Sequence, residues 1–213
     1  MAGSRWATFD CYGTLIDWNG GIRRELARVF GEDRADELLH RYHELEPELE
    51  ADGKRSYREV LTEAMRRLGA PAGEEDALAR SLPTWQPFPE VPGALRETRA
   101  RGWKLAILSN TDRDFIAASM ARIGVSFELA IVASEIGSYK PALGHWRAFD
   151  DQIGRRPDAH VAASLLHDIA PARELGLTSV WINRLDEDAD PEPTRELRSL
   201  EQLSATLDEL VPG

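Results

Sequence analysis

Short apolar runs alternate with amphipathic segments through the second half of the chain, and this alternation constrains the fold more than any other feature. The runs cover residues 103–108, 129–133, 160–164 and 179–183, and another lies near the N-terminus at 6–9. Strands that alternate with helices form a parallel sheet covered by helices on both faces. The sequence therefore predicts an α/β fold with a doubly wound, Rossmann-like parallel sheet.

The segment between the first and second predicted strands has a helical pattern instead. Leu38, Tyr42, Leu45 and Leu49 recur on one helical face. Pro47 predicts a kink or break in that helix, because it removes a backbone donor. The Pro-rich stretch 83–92 then predicts a hinge. We expect a helical cap subdomain at 17–88, inserted into a Rossmann-like catalytic core formed by 1–16 and 89–213.

Composition excludes several classes of function. The formal net charge of −11 disfavours binding to nucleic acid or to an anionic membrane, since both require a basic surface. The single cysteine, Cys11, provides neither an internal disulfide nor a Cys-based zinc site. No apolar run reaches the ~20 residues of a membrane span, and no signal-peptide pattern is visible. A cytoplasmic protein that acts on a small molecule is the expectation.

Polar residues stand where the predicted strands end. Asp10 follows the first strand, Ser109 and Asn110 follow the second, and another polar segment follows Ser164. Ligands of such sheets bind in the crevice at the carboxyl ends of the strands. A carboxylate there can act as a covalent nucleophile, and Thr14 can hydrogen-bond it. These segments therefore predict one catalytic crevice.

Four segments of the chain, in the order in which they occur, resemble the four motifs of the haloacid dehalogenase superfamily. They are Asp10-Cys11-Tyr12-Gly13-Thr14, Ser109-Asn110, Lys140-Pro141 and the segment that ends in Asp168. The resemblance implies that Asp10 is the nucleophile and that Lys140 lies beside it. It further implies that Ser109 and Asn110 hold a substrate carboxylate and that Asp168 guides water.

Two positions distinguish between branches of this superfamily. Its magnesium-dependent phosphatases have a second aspartate where this chain has Tyr12, and an acidic residue where it has Ala163. The chain is therefore more similar to the type II 2-haloacid dehalogenases. That resemblance implies hydrolysis of a short 2-haloalkanoic acid to the 2-hydroxy acid through an aspartyl ester, with no metal or organic cofactor. It implies Arg41 as the halide acceptor, and Tyr12, Leu45 and Trp146 as substrate-binding residues.

Two alternatives stay open at this point. One is a magnesium-dependent phosphatase for a small metabolite, which would have to build its metal site from Asp10 and Asp168. The other is a catalytically silent relative that binds a ligand, favoured by Leu165 at a position where dehalogenases commonly have Asn. The expected partner is a small anionic substrate, and relatives of this kind commonly form homodimers. The halogen, the chain length and the stereoisomer are not determined by the sequence.

Overall fold

Six parallel strands form a single sheet in the computed structural model, which describes residues 4–51 and 53–213. Their order across the sheet is β3-β2-β1-β4-β5-β6. The strands are β1 (Arg5–Phe9), β2 (Trp103–Ser109), β3 (Leu129–Val132), β4 (Ala159–Ala162), β5 (Thr178–Ile182) and β6 (Arg195–Leu197). The predicted parallel sheet is confirmed. The edge strand β6 was not predicted, because its three residues include two exposed charged side chains and no apolar run.

The central strand β1 lies between β2 and β4. Phe9 is paired with Ile107 on one side and with Val161 on the other. The next residue, Asp10, therefore leaves the sheet at the carboxyl edge between two neighbouring strands. The strand order reverses at this position, and such a switch point is where open α/β sheets bind ligands.

Both faces of the sheet are covered. Leu105 and Ile107 belong to the larger apolar cluster, whereas the alternate residues Ala106 and Leu108 belong to a smaller cluster that contains Trp146. This arrangement confirms the doubly wound architecture. The helices from Val91 onward are α5 (Val91–Ala100), α6 (Arg113–Ile123), α7 (Ala133–Ile136), α8 (Gly144–Ile153), α9 (Ala170–Glu174) and α10 (Leu203–Leu210).

Four helices separate β1 from α5, and we call them the cap helices. They are α1 (Trp18–Phe30), α2 (Ala35–Glu50), α3 (Tyr57–Arg67) and α4 (Ala77–Ser81). Their apolar faces join the larger cluster of the core. The boundaries of a cap at 17–88 stay a prediction. No helix in the described ranges is long and apolar enough to cross a membrane.

Pro47 was predicted to kink or break its helix, and the break was wrong, because α2 continues through Pro47 to Glu50. Pro47 is exposed, so the carbonyl that loses its N–H partner lies on the side of the helix where water can satisfy it. After α2, the side chain of Ser56 caps α3 by accepting from the N–H of Glu59, and the Glu59 carboxylate accepts from the N–H of Ser56.

A carboxylate of the core also caps a cap helix. Asp112 precedes α6, yet its two oxygens accept from the backbone N–H groups of Tyr57 and Arg58 in the first turn of α3, each at 3.0 Å. Asp112 is buried. The contact satisfies N–H groups that have no partner within the helix, and it fixes α3 above the carboxyl edge of the sheet.

Candidate active site

A cavity of about 300 Å³ separates the carboxyl edge of the sheet from the cap helices. Its floor is formed by residues that follow the strands, and its roof by residues of α1, α2 and α3. The floor carries Asp10, Tyr12, Ser109, Asn110, Lys140 and Asp168, and the roof carries Trp18, Asn19, His43, Glu46, Glu50 and Tyr57. Seven of the ten predicted site residues contribute to this site. Six of them are floor residues, and Thr14 contributes through its hydrogen bond to Asp10.

The ammonium of Lys140 connects the two carboxylates predicted to be catalytic. Its Nζ donates to Asp10 Oδ1 at 3.0 Å, to Asp168 Oδ1 at 2.6 Å and to the carbonyl of Leu108 at 2.9 Å. An ammonium has three N–H donors, so these bonds use them all. Lys140 and Asp168 are almost completely buried.

The three groups set one another's protonation. Burial lowers the pKa of Lys140, but the charges of Asp10 and Asp168 outweigh it and the pKa is raised above its ordinary value. Burial likewise raises the pKa of Asp168, but Lys140 and His160 outweigh it and hold the pKa well below its usual range. For Asp10, burial raises the pKa and Lys140 only partly opposes that effect. The site therefore holds an ammonium beside an ionised Asp168.

Thr14 orients the predicted nucleophile. Its Oγ1 donates to Asp10 Oδ2 at 2.8 Å and accepts from the N–H of Ala163 at 2.9 Å. Between them, Gly13 has φ +86°, a conformation that suits glycine, and this turn brings Thr14 back toward Asp10. Each oxygen of the Asp10 carboxylate is thus held by one donor and retains lone pairs that can attack a carbon atom.

A buried histidine supports Asp168, and sequence reasoning missed it. His160 Nε2 lies 2.9 Å from Asp168 Oδ1, and its Nδ1 lies 2.9 Å from Thr8 Oγ1. An ionised carboxylate only accepts hydrogen bonds, so Nε2 is the donor. The sequence shows His160 inside an apolar strand, and nothing in the pattern says which face it occupies.

Ser109 and Asn110 lie on the floor as predicted, but they differ in what they can bind. The Ser109 hydroxyl is buried and has no hydrogen-bond partner among the described residues. Asn110 Nδ2 donates to the carbonyl of Lys140 at 3.0 Å and to Glu50 Oε2 at 3.1 Å, and its Oδ1 accepts from the N–H of Lys140 at 2.6 Å. Both amide hydrogens are used, so Asn110 positions Lys140, and its role in holding a substrate carboxylate stays a prediction.

Tyr12 provides an aromatic wall where the phosphatases have a carboxylate. Its ring is stacked against Tyr57, with centroids 6.1 Å apart, and its hydroxyl lies 3.1 Å from Ser119 Oγ. Burial raises the pKa of Tyr12 far above its ordinary value, so the phenol stays neutral. The residue thereby contacts α3 and cannot supply a charged ligand to a metal.

Three predicted site residues do not reach the cavity. Arg41 is exposed, Leu45 is half-buried against the main core, and Trp146 packs edge-on to His160 beneath the sheet. Arg41 does not reach the cavity because of its rotational position on α2. At 3.6 residues per turn, Glu46 is rotated by about 140° from Arg41 around the helix axis. Arg41 flanks the apolar stripe on the edge that faces solvent, and the other edge faces the cavity.

The cavity edge of α2 carries two carboxyl groups that were not predicted. Glu46 Oε1 accepts from the hydroxyl of Tyr57 at 2.8 Å and from that of Tyr42 at 3.3 Å. Burial raises the pKa of Glu46 to about 7 and that of Glu50 to about 9. The signal was present in the sequence, since Tyr42, Glu46 and Glu50 recur at a spacing of four residues.

The donor set does not fit the magnesium site of the phosphatases. No group of three or more His, Cys, Asp or Glu side chains suited to a metal occurs among residues 4–51 and 53–213. Magnesium prefers an octahedral set of oxygen ligands. Here Asp10 and Asp168 direct an oxygen each at the ammonium of Lys140, and Tyr12 and Ala163 add no carboxylate.

Comparison with known proteins finds relatives of both branches. An (S)-2-haloacid dehalogenase of Pseudomonas sp. (strain YL) is 29% identical over 207 residues, which cover 90% of this chain and 89% of that protein. A phosphoserine phosphatase of Thermus thermophilus is 31% identical over 152 residues, which cover 68% of this chain and 60% of that protein.

Solved structures share the whole fold. The L-2-haloacid dehalogenase from Xanthobacter autotrophicus with chloropropionic acid covalently bound superposes with a TM-score of 0.84 at 18% identity, covering 98% of this chain and all of that one. The family model of the haloacid dehalogenase-like hydrolases matches residues 5–161, well over half of the chain. The chain therefore belongs to the haloacid dehalogenase-like hydrolases.

Proposed function

We propose that this protein hydrolyses the carbon–halogen bond of a short 2-haloalkanoic acid and releases the 2-hydroxy acid. The observation that carries the proposal is the Asp10 carboxylate, held by Lys140 and Thr14 on the floor of a cavity where Tyr12 replaces a metal-binding carboxylate. The names of the relatives as 2-haloacid dehalogenases support it. A cytoplasmic location and a homodimeric assembly stay predictions.

In the first step, an oxygen of Asp10 attacks C2 of the substrate. A carbon–oxygen bond forms, the carbon–halogen bond breaks in line with it, and the halide leaves with the bonding electron pair. Lys140 fixes the direction of the attacking carboxylate, because its Nζ and Thr14 Oγ1 each hold one carboxylate oxygen. The Ser109 hydroxyl, which has no protein partner in the described chain, is available to the substrate carboxylate.

In the second step, water attacks the carbonyl carbon of the aspartyl ester. The bond between the carbonyl carbon and the ester oxygen breaks, and the 2-hydroxy acid leaves with that oxygen, which came from Asp10. Asp10 retains one oxygen from the water in its place. Asp168 is ionised and directed into the site by Lys140 and His160, so it can orient that water. One proton of the water goes to the alcohol and the other to solvent.

With Arg41 outside the cavity, we assign the departing halide to the wall formed by α1. Asn19 and Trp18 line the cavity there. His43 Nε2 donates to Asn19 Oδ1 at 2.9 Å, so the amide orientation is set and Nδ2–H can face the halide. The partial positive charge on the Asn19 Nδ2–H group suits a weakly hydrated anion such as the departing halide.

A single-turnover experiment in oxygen-18 water tests the ester mechanism. We expect the first turnover of 2-chloropropanoate to place the heavy isotope in Asp10 and not in the product, read by mass spectrometry of the peptide that contains residue 10. Asp10→Asn should release no halide, because an amide is a far weaker nucleophile. Label found in the first-turnover product would contradict the mechanism.

The phosphoserine phosphatase relative supports a second candidate, hydrolysis of a small phosphate ester. The two candidates differ in their need for metal, since phosphoryl transfer depends on a cation to neutralise charge. We expect chloride release to be unchanged by excess chelator. Phosphate release that requires added magnesium would favour the phosphatase.

A further inference from the structure

The roof of the cavity carries two carboxyl groups, and the described lining of the cavity offers them only one cation, which is already engaged. Lys140 is the only Lys or Arg among the residues that line the cavity, and its three donors are occupied by Asp10, Asp168 and Leu108. Glu46 and Glu50 lie one turn apart on the cavity edge of α2. Neither forms an ion pair with Lys or Arg in the described part of the chain.

The carboxyl group of Glu46 is held in place by its surroundings. Its Oε1 accepts from the hydroxyls of Tyr57 and Tyr42, and the Tyr57 oxygen in turn accepts from Trp18 Nε1 at 3.0 Å. These contacts order one oxygen of Glu46 and contribute no positive charge. A carboxyl group that is ordered, partly exposed to a cavity and without an ion-pair partner suits a ligand with positively charged donors.

A second, independent observation also points to a ligand in this cavity. On the floor opposite α2, the hydroxyl of Ser109 is fully buried and has no partner in the described ranges. Buried polar groups are almost always hydrogen-bonded. The cavity thus offers a hydroxyl donor on the floor and carboxylate acceptors on the roof, which matches a ligand with an anionic end and a cationic end.

We infer that Glu46, assisted by Glu50, selects a 2-haloacid that carries an ammonium group on C3, as in a 3-amino-2-halopropanoate. The inference rests on the proposed function and adds the substrate class. The ammonium would donate to Glu46 while the substrate carboxylate faces Ser109 and C2 faces Asp10. A substrate whose C3 substituent is a methyl group would leave Glu46 without an ionic partner.

Binding of halogen-free analogues tests the inference without any chemistry. The probes are 3-aminopropanoate and butanoate, which have nearly the same shape and differ by ammonium in place of methyl. We expect calorimetry to show that the wild type binds 3-aminopropanoate about tenfold or more tightly than butanoate, the size expected for one hydrogen bond to a charged group. Glu46→Gln should remove most of this preference. Glu44→Gln, on the exposed edge of the same helix, should retain it.

Turnover of the matched substrates separates the inference from the proposed function. 3-Amino-2-chloropropanoate should exceed 2-chlorobutanoate in kcat/KM for the wild type, and Glu46→Gln should abolish the difference mainly through KM. Equal binding of the two analogues, or an unchanged preference in Glu46→Gln, would overturn the inference while chloride release still supports dehalogenation. Selective binding of 3-aminopropanoate with no chloride release from either substrate would support the roof site and contradict the proposed function.

Discussion

At the scale of single residues, the site depends on one buried ammonium between two buried carboxylates. Lys140 contacts Asp10 and Asp168 directly, and Asn110 holds its backbone on both sides of the residue. In a buried environment each charge depends on the others, because an unpaired charge loses its hydration without compensation. Catalytic geometry and stability are therefore linked at this residue.

Replacing Lys140 by Met should destabilise the fold as well as stop turnover. The substitution leaves two buried carboxylates that face each other without a cation, and breaking a buried pair in this way typically costs about 3–5 kcal/mol. Urea unfolding would measure the loss. Lys104→Met is the matched control, because Lys104 is only half-buried, and we expect a change below about 1 kcal/mol. A Lys140→Met protein as stable as the control would contradict the assigned pairing.

At the scale of elements, the register of α2 decides which of its side chains meet the substrate. Both edges of its apolar stripe carry charged residues, Arg41 on one and Glu46 with Glu50 on the other. Helical periodicity identifies the stripe and its two edges equally well. Only the packing of α2 on α1 and α3 distinguishes the edge above Asp10 from the edge in solvent.

Arg41→Ala should therefore leave catalysis almost unchanged. An exposed side chain outside the cavity contributes neither to halide release nor, beyond about 0.5 kcal/mol, to stability. Pre-steady-state chloride release and the melting temperature would be compared with those of wild type. Asn19→Ala is the contrasting variant, and we expect slower chloride release from it. A loss of two orders of magnitude in Arg41→Ala would restore Arg41 as the halide acceptor.

The contact between α6 and α3 gives a second prediction at this scale. Asp112→Ala removes the side chain that caps the first turn of α3 from the core, and loss of a helix cap typically costs about 1 kcal/mol. Hydrogen exchange should then increase selectively at Tyr57 and Arg58. Asp114→Ala, which removes only an exposed ion pair with Arg58, should leave their exchange unchanged. Equal protection in both variants would exclude the capping role.

At the scale of the whole molecule, the acidic roof of the cavity should affect stability as a function of pH. Burial raises the pKa of Glu46 to about 7 and that of Glu50 to about 9 from an ordinary value of 4.5. The folded protein thus retains protons that the unfolded chain has already released. The contribution of these groups is complete below the ordinary value and is lost as the pH rises toward about 9.

Glu50→Gln should reduce that loss, because the amide keeps an acceptor for Asn110 and does not ionise. As the pH is raised from 5 to 9, the free energy of unfolding of wild type should fall relative to that of the variant, and the difference between the two is the quantity to follow. Taking this difference cancels the contribution of the histidines. Glu44→Gln should give no such trend, and a flat difference for Glu50→Gln would show that Glu50 is not buried as a carboxyl group.

Much of this architecture follows from local sequence. Apolar runs that end in polar residues predicted the parallel sheet. Because carboxyl ends of parallel strands share one edge, these runs also predicted that Asp10, Ser109 and the segment after Ser164 meet, and the family resemblance singled out Asp168 within that segment. The capping box at Ser56 and Glu59 also depends only on local sequence, since its two residues are three apart. These features are determined within one element or by a rule that every parallel sheet obeys.

Other features were decided only by tertiary packing. Arg41, Leu45 and Trp146 were assigned to a pocket that they do not reach, whereas Glu46 and Glu50 do. Helical and strand periodicity define which residues share a face, but not what that face meets. The contact of His160 with Asp168 was missed for the same reason, because the strand pattern does not show which group the His160 side chain meets. The sequence by itself determined the fold and the residues of the cavity floor, and the tertiary structure decided the roof, because the orientation of one element over another depends on contacts between residues distant in the chain.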